Sequence, residues 1–426
     1  MPKLDIQNVF AEPSTKRISV FGLGYVGLPV AAALASRGFE VIGVDINASI
    51  VDVINSGHVH IVEPDLDMVV QAAVAAGKLR AVLEPEPADV FIIAVPTPFY
   101  GDHCPDISYV RDATNAIAPL LQKNNLIILE STSPIGTTEN IHGWIAERRP
   151  DFVMPDAEGE SADIHIAHCP ERVLPGRVLR ELVDNDRIIG GISIRCAAYA
   201  GELYRTFVRG EIHLTNARTA ELAKLAENAY RDVNIAFANE MSVICDRLGI
   251  NVWELIDLAN KHPRVQILSP GPGVGGHCIA IDPWFIVAAA PEVARVIRAA
   301  REVNDEKPTY IVERVKSAAA RLREPVIACL GLSYKADIDD LRASPALHIV
   351  QMLADAQVGE MLVVEPNLKQ LPASLRDHKH VRQVELRRAV TDADIVLLLV
   401  DHRQFKRIDR ETLKPKITFD TRGIWR

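Results

Sequence analysis

Residues 17–45 read RISVFGLGYVGLPVAAALASRGFEVIGVD. An apolar run at 18–21 enters Gly22-x-Gly24-x-x-Gly27, a helical stretch follows, and Gly38 closes it. A second apolar run ends on Asp45. This order predicts a strand, a tight turn, a helix and a second strand with an acid at its end. Each glycine has its own task. Gly22 permits the turn, Gly24 lets the backbone approach a pyrophosphate, and Gly27 lets helix and strand pack closely. The free N–H groups at the helix start favour an anion. A carboxylate at Asp45 accepts hydrogen bonds from both ribose hydroxyls and repels a 2′-phosphate, so NAD is the expected cofactor.

Working outward, short apolar strands are expected at 90–95 and 126–130, which makes the first half a parallel sheet with helices on both faces. VPTP at 95–98 and STSPIG at 131–136 leave strand ends in this half, where ligands of open α/β sheets sit. From 216 to 248 the chain has neither Gly nor Pro, and Gly249 stops the run. A continuous helix there is about 50 Å long, enough to link two domains and offer a dimerisation face. Two shorter helices are the alternative. Beyond Pro325 the first half is echoed. VIACLGLSY (326–334) follows SVFGLGYVG, LVVEPN (362–367) follows VIGVDIN with Glu365 in the place of Asp45, and ADIVLLLVD (393–401) follows ADVFIIAVP. The expected fold is therefore α/β, with two doubly wound Rossmann-like domains joined by a central helical domain containing a long helix. Its expected divisions are 1–212, 213–318 and 319–426. The second copy lacks the third-glycine spacing and need not bind a dinucleotide.

The 426 residues are 48% hydrophobic, 24% charged and 5% aromatic, as in soluble globular chains, and suffice for more than one core. A formal charge of -9 without a basic cluster argues against nucleic acid. No apolar run reaches the length of a membrane span, and residues 1–16 lack the apolar core of a signal peptide, so a cytoplasmic protein is expected. The six cysteines form no C-x-x-C pair, which indicates neither zinc nor a disulfide framework. The adjacent pairs His168–Cys169 and His277–Cys278 suit no shared metal, and none is expected.

Three places carry candidate chemistry. In PGPGVGGHCIAIDPWF (270–285), Cys278 follows a glycine-rich run and Asp282 lies four residues on. A cysteine there is either a nucleophile of lowered pKa or a buried apolar residue. Lys224 and Asn228 share a face of the long helix, where they either stabilise an oxyanion or form a solvated pair. Glu171, in CPER at 169–172, is either a desolvated general base or a surface carboxylate.

Assembled, the chain resembles the UDP-glucose/UDP-N-acetylsugar 6-dehydrogenase family over nearly its whole length. FGLGYVGLP, VPTP, STSPIGTT, CPERVLPG, ELAKLAENAYRDVNIAFANE, GPGVGGHCIAID, GLSYKADIDDLRASPA and DTRGIW stand in that family's order. The branch most similar is that of the UDP-N-acetyl-D-mannosamine dehydrogenases, with UDP-N-acetyl-D-glucosamine 6-dehydrogenases as near neighbours. UDP-glucose dehydrogenases carry a lysine before the shared acid, whereas Ala280 and Ile281 precede Asp282 here. The resemblance implies a four-electron oxidation at C6 of the sugar with two NAD, through a thiohemiacetal and a thioester on Cys278. It implies catalytic roles for Lys224, Asn228, Asp282, Glu171 and Thr132. It places Gly22, Gly24, Tyr25, Val26, Gly27, Asp45, Pro96, Thr97, Thr132 and Arg342 at NAD. For substrate it implies Glu171, Arg172, Val173, Leu174, Lys224, Asn228, Gly275, Tyr334, Lys335 and Arg422, with Arg264 reaching from a neighbouring subunit of a homodimer. Arg172, Leu174 and Arg177 lie in a loop expected to recognise the sugar and its N-acetyl group. A two-electron hydroxyacid dehydrogenase, with no need of Cys278, and an inactive NAD-binding module are the rival readings.

Overall fold

The computed structural model describes residues 9–101, 103–156, 161–173, 176–276 and 278–426. The chain divides into two compact units, with the boundary between Ala226 and Glu227.

The first unit holds strands β1 (Arg17–Phe21), β2 (Glu40–Val44), β3 (Leu79–Val82), β4 (Val90–Ile93), β5 (Phe99–Tyr100), β6 (Cys104–Pro105), β7 (Leu126–Leu129), β8 (His165–His168), β9 (Arg187–Gly191) and β10 (Ile212–Asn216). Eight of them form one sheet in the order β10-β9-β8-β7-β4-β1-β2-β3, and β5 pairs with β6 in a separate antiparallel hairpin. The central strands are fully buried, as expected of a sheet covered on both faces. Alternate residues feed two cores. Ile18, Val20, Ile92 and Ile128 pack on one face, and Phe21, Ile93, Ile127 and Leu129 on the other.

The sheet departs from the all-parallel expectation at one place. β9 runs antiparallel to β8, through Ala167↔Gly191 and His168↔Gly190, and β10 follows β9 in parallel. Glycine is needed at this edge because the backbone entering the long helix lies against it. A Cβ on Gly190 would stand 2.4 Å from the Asn216 carbonyl oxygen and 2.6 Å from the Ala220 Cβ.

The glycine-free run forms one uninterrupted helix, Ala217–Leu248. It begins in the first unit and ends in the second. The second unit adds helices Val252–Ala259, Asp282–Ala289 and Arg295–Ala319. It then forms a five-stranded parallel sheet from β11 (Val326–Leu330), β12 (Glu360–Val364), β13 (Val381–Gln383), β14 (Ile395–Leu398) and β15 (Ile417–Asp420), in the order β13-β12-β11-β14-β15. β11, β12 and β14 are the three echoed segments, and this sheet too is covered by a core on each face.

A buried polar network ties the helices of the second unit together. Arg301 donates to Asp232 at 2.6 Å, Asn304 donates to the same oxygen at 2.8 Å, and Asn239 donates to Asn304 at 2.8 Å. Asn239 also accepts the Gly271 N–H at 2.8 Å, which pins the start of the glycine-rich loop to the long helix. Burial raises the Asp232 pKa and Arg301 opposes it. Removing Arg301 would leave the Asp232 carboxylate in the core without its cation, which is far costlier than losing an exposed pair, whereas Arg301 has a second partner in Asp305.

Candidate active site

The glycine turn is built as its spacing requires. Gly22 has a left-handed φ of +86°, and a Cβ there would lie 2.6 Å from the Ala94 carbonyl oxygen. A Cβ on Gly27 would lie 1.9 Å from the Gly22 oxygen, so no side chain fits. Gly24 faces open space, with nothing within 4 Å of its would-be Cβ. Helix Gly27–Ser36 starts immediately after, with Val26 at its cap and Tyr25 exposed. Asp45 follows β2 and accepts the Leu23 N–H at 3.0 Å and the Asn47 N–H at 2.9 Å. Its carboxylate is thereby fixed beside the turn. This cradle fits NAD: an open backbone face at a helix N-terminus, and an acid held where the adenosine ribose lies. Exposed Ile46 and Leu83 flank the acid and offer apolar surface to an adenine. Sequence reasoning passed over both, because apolar residues at strand ends are common.

Of the other cofactor candidates, Pro96, Thr97 and Thr132 lie at the same edge of the sheet, and Arg342 belongs to the second unit. Pro96 is exposed after β4, and the Thr97 hydroxyl donates to the Thr132 carbonyl at 2.6 Å, so the two predicted loops brace each other. The loop bearing Thr132 is fixed a second way. Glu221 of the long helix accepts the Gly136 N–H at 2.6 Å, the Thr138 N–H at 2.8 Å and the Thr138 hydroxyl at 2.6 Å. One turn further along that helix is Lys224, which is buried.

Glu171 follows β8 and accepts the Val173 N–H. Burial raises its pKa, and Lys224, the Val173 bond and Arg187 oppose the rise. The structure therefore couples Glu171 to Lys224 electrostatically, which the sequence kept in separate candidate groups. Arg172 donates to the Asp186 carbonyl at 3.2 Å. Leu174 lies outside the described residues. A further carboxylate, Glu130, ends β7 on the face that also carries Cys169, fully buried, with neither oxygen hydrogen-bonded. Burial pushes its pKa up to about 8, with Arg187 opposing and Glu171 adding to the rise.

In the second unit, Cys278 is exposed at the turn before helix Asp282–Ala289, and its carbonyl accepts the Asp282 N–H at 2.9 Å. The alternative of a buried apolar cysteine does not apply. Asp282 is buried at the positive end of its helix and accepts the Asn228 amide at 2.5 Å. Asn228, Asp282 and Cys278 are thus assembled. The glycines before Cys278 serve the chain's own packing. A Cβ on Gly275 would meet the Ala343 oxygen at 2.6 Å and the Tyr334 Cβ at 2.9 Å, and one on Gly276 would meet the Tyr334 ring at 3.0 Å. His277 lies outside the described residues.

The remaining cations are placed differently. Lys335 is exposed beside Tyr334. Arg342 is held by Asp340, with its Nη2 donating at 2.6 Å. Arg422 is held by Asp401 at 3.2 Å and lies over Gly271, whose would-be Cβ stands 2.6 Å from its Nη1. Arg264 sits on the exposed stretch 261–266.

The counterpart of the cofactor turn in the second unit is filled from within. Gly331 repeats the left-handed φ, at +97°. Glu365 accepts the Leu332 N–H at 2.7 Å and the Ser333 N–H at 3.1 Å and pairs with buried His402 at 3.1 Å. Burial works to raise the Glu365 pKa, but His402 and backbone N–H groups outweigh it and hold it below the usual range.

Three consecutive stretches match one family, described as the UDP-glucose/GDP-mannose dehydrogenase family. Its NAD-binding domain matches residues 16–208, its central domain 218–306 and its UDP-binding domain 328–426. The chain belongs to the UDP-glucose/GDP-mannose dehydrogenase family. As a member it is an NAD-dependent oxidoreductase. A relative from Ralstonia nicotianae, an NDP-N-acetyl-D-galactosaminuronic acid dehydrogenase, is 62% identical over 96% of both chains. The UDP-N-acetyl-D-mannosamine dehydrogenase of Yersinia pestis is 58% identical over 97% of this chain and 100% of its own length. Among solved structures, a UDP-D-ManNAc dehydrogenase from Pyrococcus horikoshii is 40% identical over 96% of both chains, with a TM-score of 0.84. Family membership accounts for the two-sheet architecture and for the cofactor. No helix among the described residues is long and apolar enough to cross a membrane.

Proposed function

We propose that this family member oxidises C6 of UDP-N-acetyl-D-mannosamine to the uronate, with two NAD per sugar. The observation that carries the reading is the group of exposed Cys278, buried Asp282 and half-buried Asn228 assembled in the second unit, and the glycine turn with Asp45 in the first unit supports it separately.

The cofactor supplies the hydride acceptor in both oxidations. In the first, the C6 hydroxyl loses its proton, and Lys224 and Asn228 stabilise the oxygen as charge develops on it. The Cys278 thiolate then adds to the aldehyde carbon, giving a thiohemiacetal that cannot diffuse away. Loss of a second hydride leaves a thioester. Water, positioned by Asp282, Thr132 or Glu171, adds to it and releases the carboxylate and the Cys278 thiol. A buried Glu171 of raised pKa suits the base in that last step.

The substrate-binding set is proposed as read from the sequence, with Arg172 and Val173 near the sugar and Tyr334, Lys335 and Arg422 toward the diphosphate. Arg342 is proposed at NAD. The proposed domains are 1–212, 213–318 and 319–426, and the three matched stretches fall within them. A homodimer is also proposed. In the second unit Tyr230, Phe237 and Ile244 project from the long helix at seven-residue spacing, with exposures of 73%, 50% and 41%. Such a stripe suits the same helix of a second copy. The product, a uronic acid donor made in the cytoplasm, suits polysaccharide assembly.

The Ralstonia relative favours a second reading, in which the substrate is the galactosamine analogue. Purified protein with NAD+ and a panel of UDP-N-acetylhexosamines separates the readings. Two NADH per UDP-N-acetyl-D-mannosamine are expected, with little from the glucosamine and galactosamine forms. One NADH per sugar, or full turnover by Cys278→Ser, would refute the thioester route.

A further inference from the structure

The loop that follows β8 carries Glu171, Arg172 and Val173, and its far end is held by a residue from elsewhere in the fold. Glu63 is 7% exposed and spends both carboxylate oxygens on that loop. Oε2 accepts the Gly176 N–H at 2.8 Å, and Oε1 accepts the Val178 N–H at 2.7 Å. The partners are 113 and 115 positions away in sequence. Gly176 has a left-handed φ of +90°, and Val178 opens helix Val178–Asp184, so the clamp seizes the loop where it turns into that helix. The near end is fixed by strand pairing, with the Cys169 N–H donating to the Leu129 carbonyl at 3.0 Å. Between these points Asn185 donates to the Arg172 carbonyl at 3.1 Å.

The segment bearing Glu63 is anchored on both sides. Ile61 and Leu66 on either side are buried in the core of the first unit. Asp65, between Glu63 and Leu66, takes a left-handed φ of 65°, which turns the chain there and which Asp tolerates better than most residues with a side chain. A carboxylate accepting two short N–H bonds in a buried place is directional, so moving it moves the loop's end.

Resting on the dehydrogenase reading above, we propose that Glu63 is a positioning residue that sets the placement of Glu171 and Arg172, and thereby the affinity for the sugar and the choice between its epimers. Both of its oxygens are occupied by backbone N–H groups, so it acts through the loop.

The test compares Glu63→Gln and Glu63→Ala with the full-length wild type. Gln keeps one acceptor oxygen and so one of the two bonds, whereas Ala keeps none. In Ala, KM for UDP-N-acetyl-D-mannosamine should rise about tenfold, equivalent to about 1.4 kcal/mol. In Gln it should rise several-fold, and in both the preference over UDP-N-acetyl-D-glucosamine should narrow. KM for NAD should stay unchanged, because the glycine turn and Asp45 are untouched. Unchanged sugar kinetics, or equal losses for sugar and NAD in both variants, would overturn the proposal. Should the Ala protein fail to fold, the Gln protein decides alone. Should the wild type oxidise no UDP-sugar, the functional reading has failed, and amide hydrogen exchange still tests the clamp. Gly176 and Val178 should exchange faster in Glu63→Gln while Leu23 and Asn47 keep wild-type rates. Equal exchange at all four would refute the clamp.

Discussion

Single carboxylates do much of the fixing in the first unit, and each does so through a long-range partner. Glu221 holds the Thr132 loop, Glu63 holds the Glu171 loop, and Asp45 braces the glycine turn. Only Asp45 was legible in sequence, because its distance from the third glycine is part of a motif. Glu63 and Glu221 stand among ordinary polar residues, and their partners are 83 to 115 positions away. Glu130 was equally hidden, since one acid after an apolar strand has no local signature. Its chemistry yields a stability test. Its folded pKa, near 8, stands above the ordinary value of 4.5. The folded state therefore holds the proton more tightly than the unfolded one. Its contribution is fully present below pH 4.5 and is lost as the pH rises through about 8. Glu130→Gln removes that dependence. Its stability relative to wild type should grow by up to about 1.4 kcal/mol per pH unit between pH 5 and 8. Urea titrations at several pH values measure the difference. A gap independent of pH would mean that Glu130 is ionised in the fold.

At the level of elements, the long helix was the plainest prediction, since its sequence lacks every breaker and Gly249 ends it. The three echoed strands were legible for a similar reason, because buried parallel strands are short, continuous apolar runs. The reversal at β9 was not. An apolar run announces a strand but carries no sign of its direction, which depends on where the preceding loop delivers the chain. The glycine-rich stretch before Cys278 was legible as a run, but what it packs against was not: its glycines lie against Tyr334, Ala343 and Arg422 of the same unit. The exposed stripe on the long helix supports an expectation at this scale. Phe237→Glu puts a charge at the middle of the stripe, which is solvated in a lone chain and desolvated against a second copy. Light scattering should show the mass falling from dimer to monomer at micromolar concentration, with the helical circular dichroism retained. A mass unchanged by the substitution would place the subunit contact elsewhere.

For the molecule as a whole, the repeat of one architecture sets the binding stoichiometry. Both sheets end their first strand in a left-handed glycine and their second in an acid, but the acids have different occupants. Asp45 stands beside open backbone, whereas Glu365 is consumed by Leu332, Ser333 and His402. Calorimetric titration with NAD should therefore give one site per chain, and a second dinucleotide site of comparable affinity would contradict the filled pocket. The contrast also bears on how such a chain arises by duplication. A glutamate is one methylene longer than an aspartate. Either acid can accept a ribose hydroxyl, so it is the histidine following another strand that turns the carboxylate of the second unit into an internal staple. In a chain that arose by duplication, a buried histidine acquired at that place would release one copy from the cofactor and free its strand ends for a different ligand, while the other copy kept the original task.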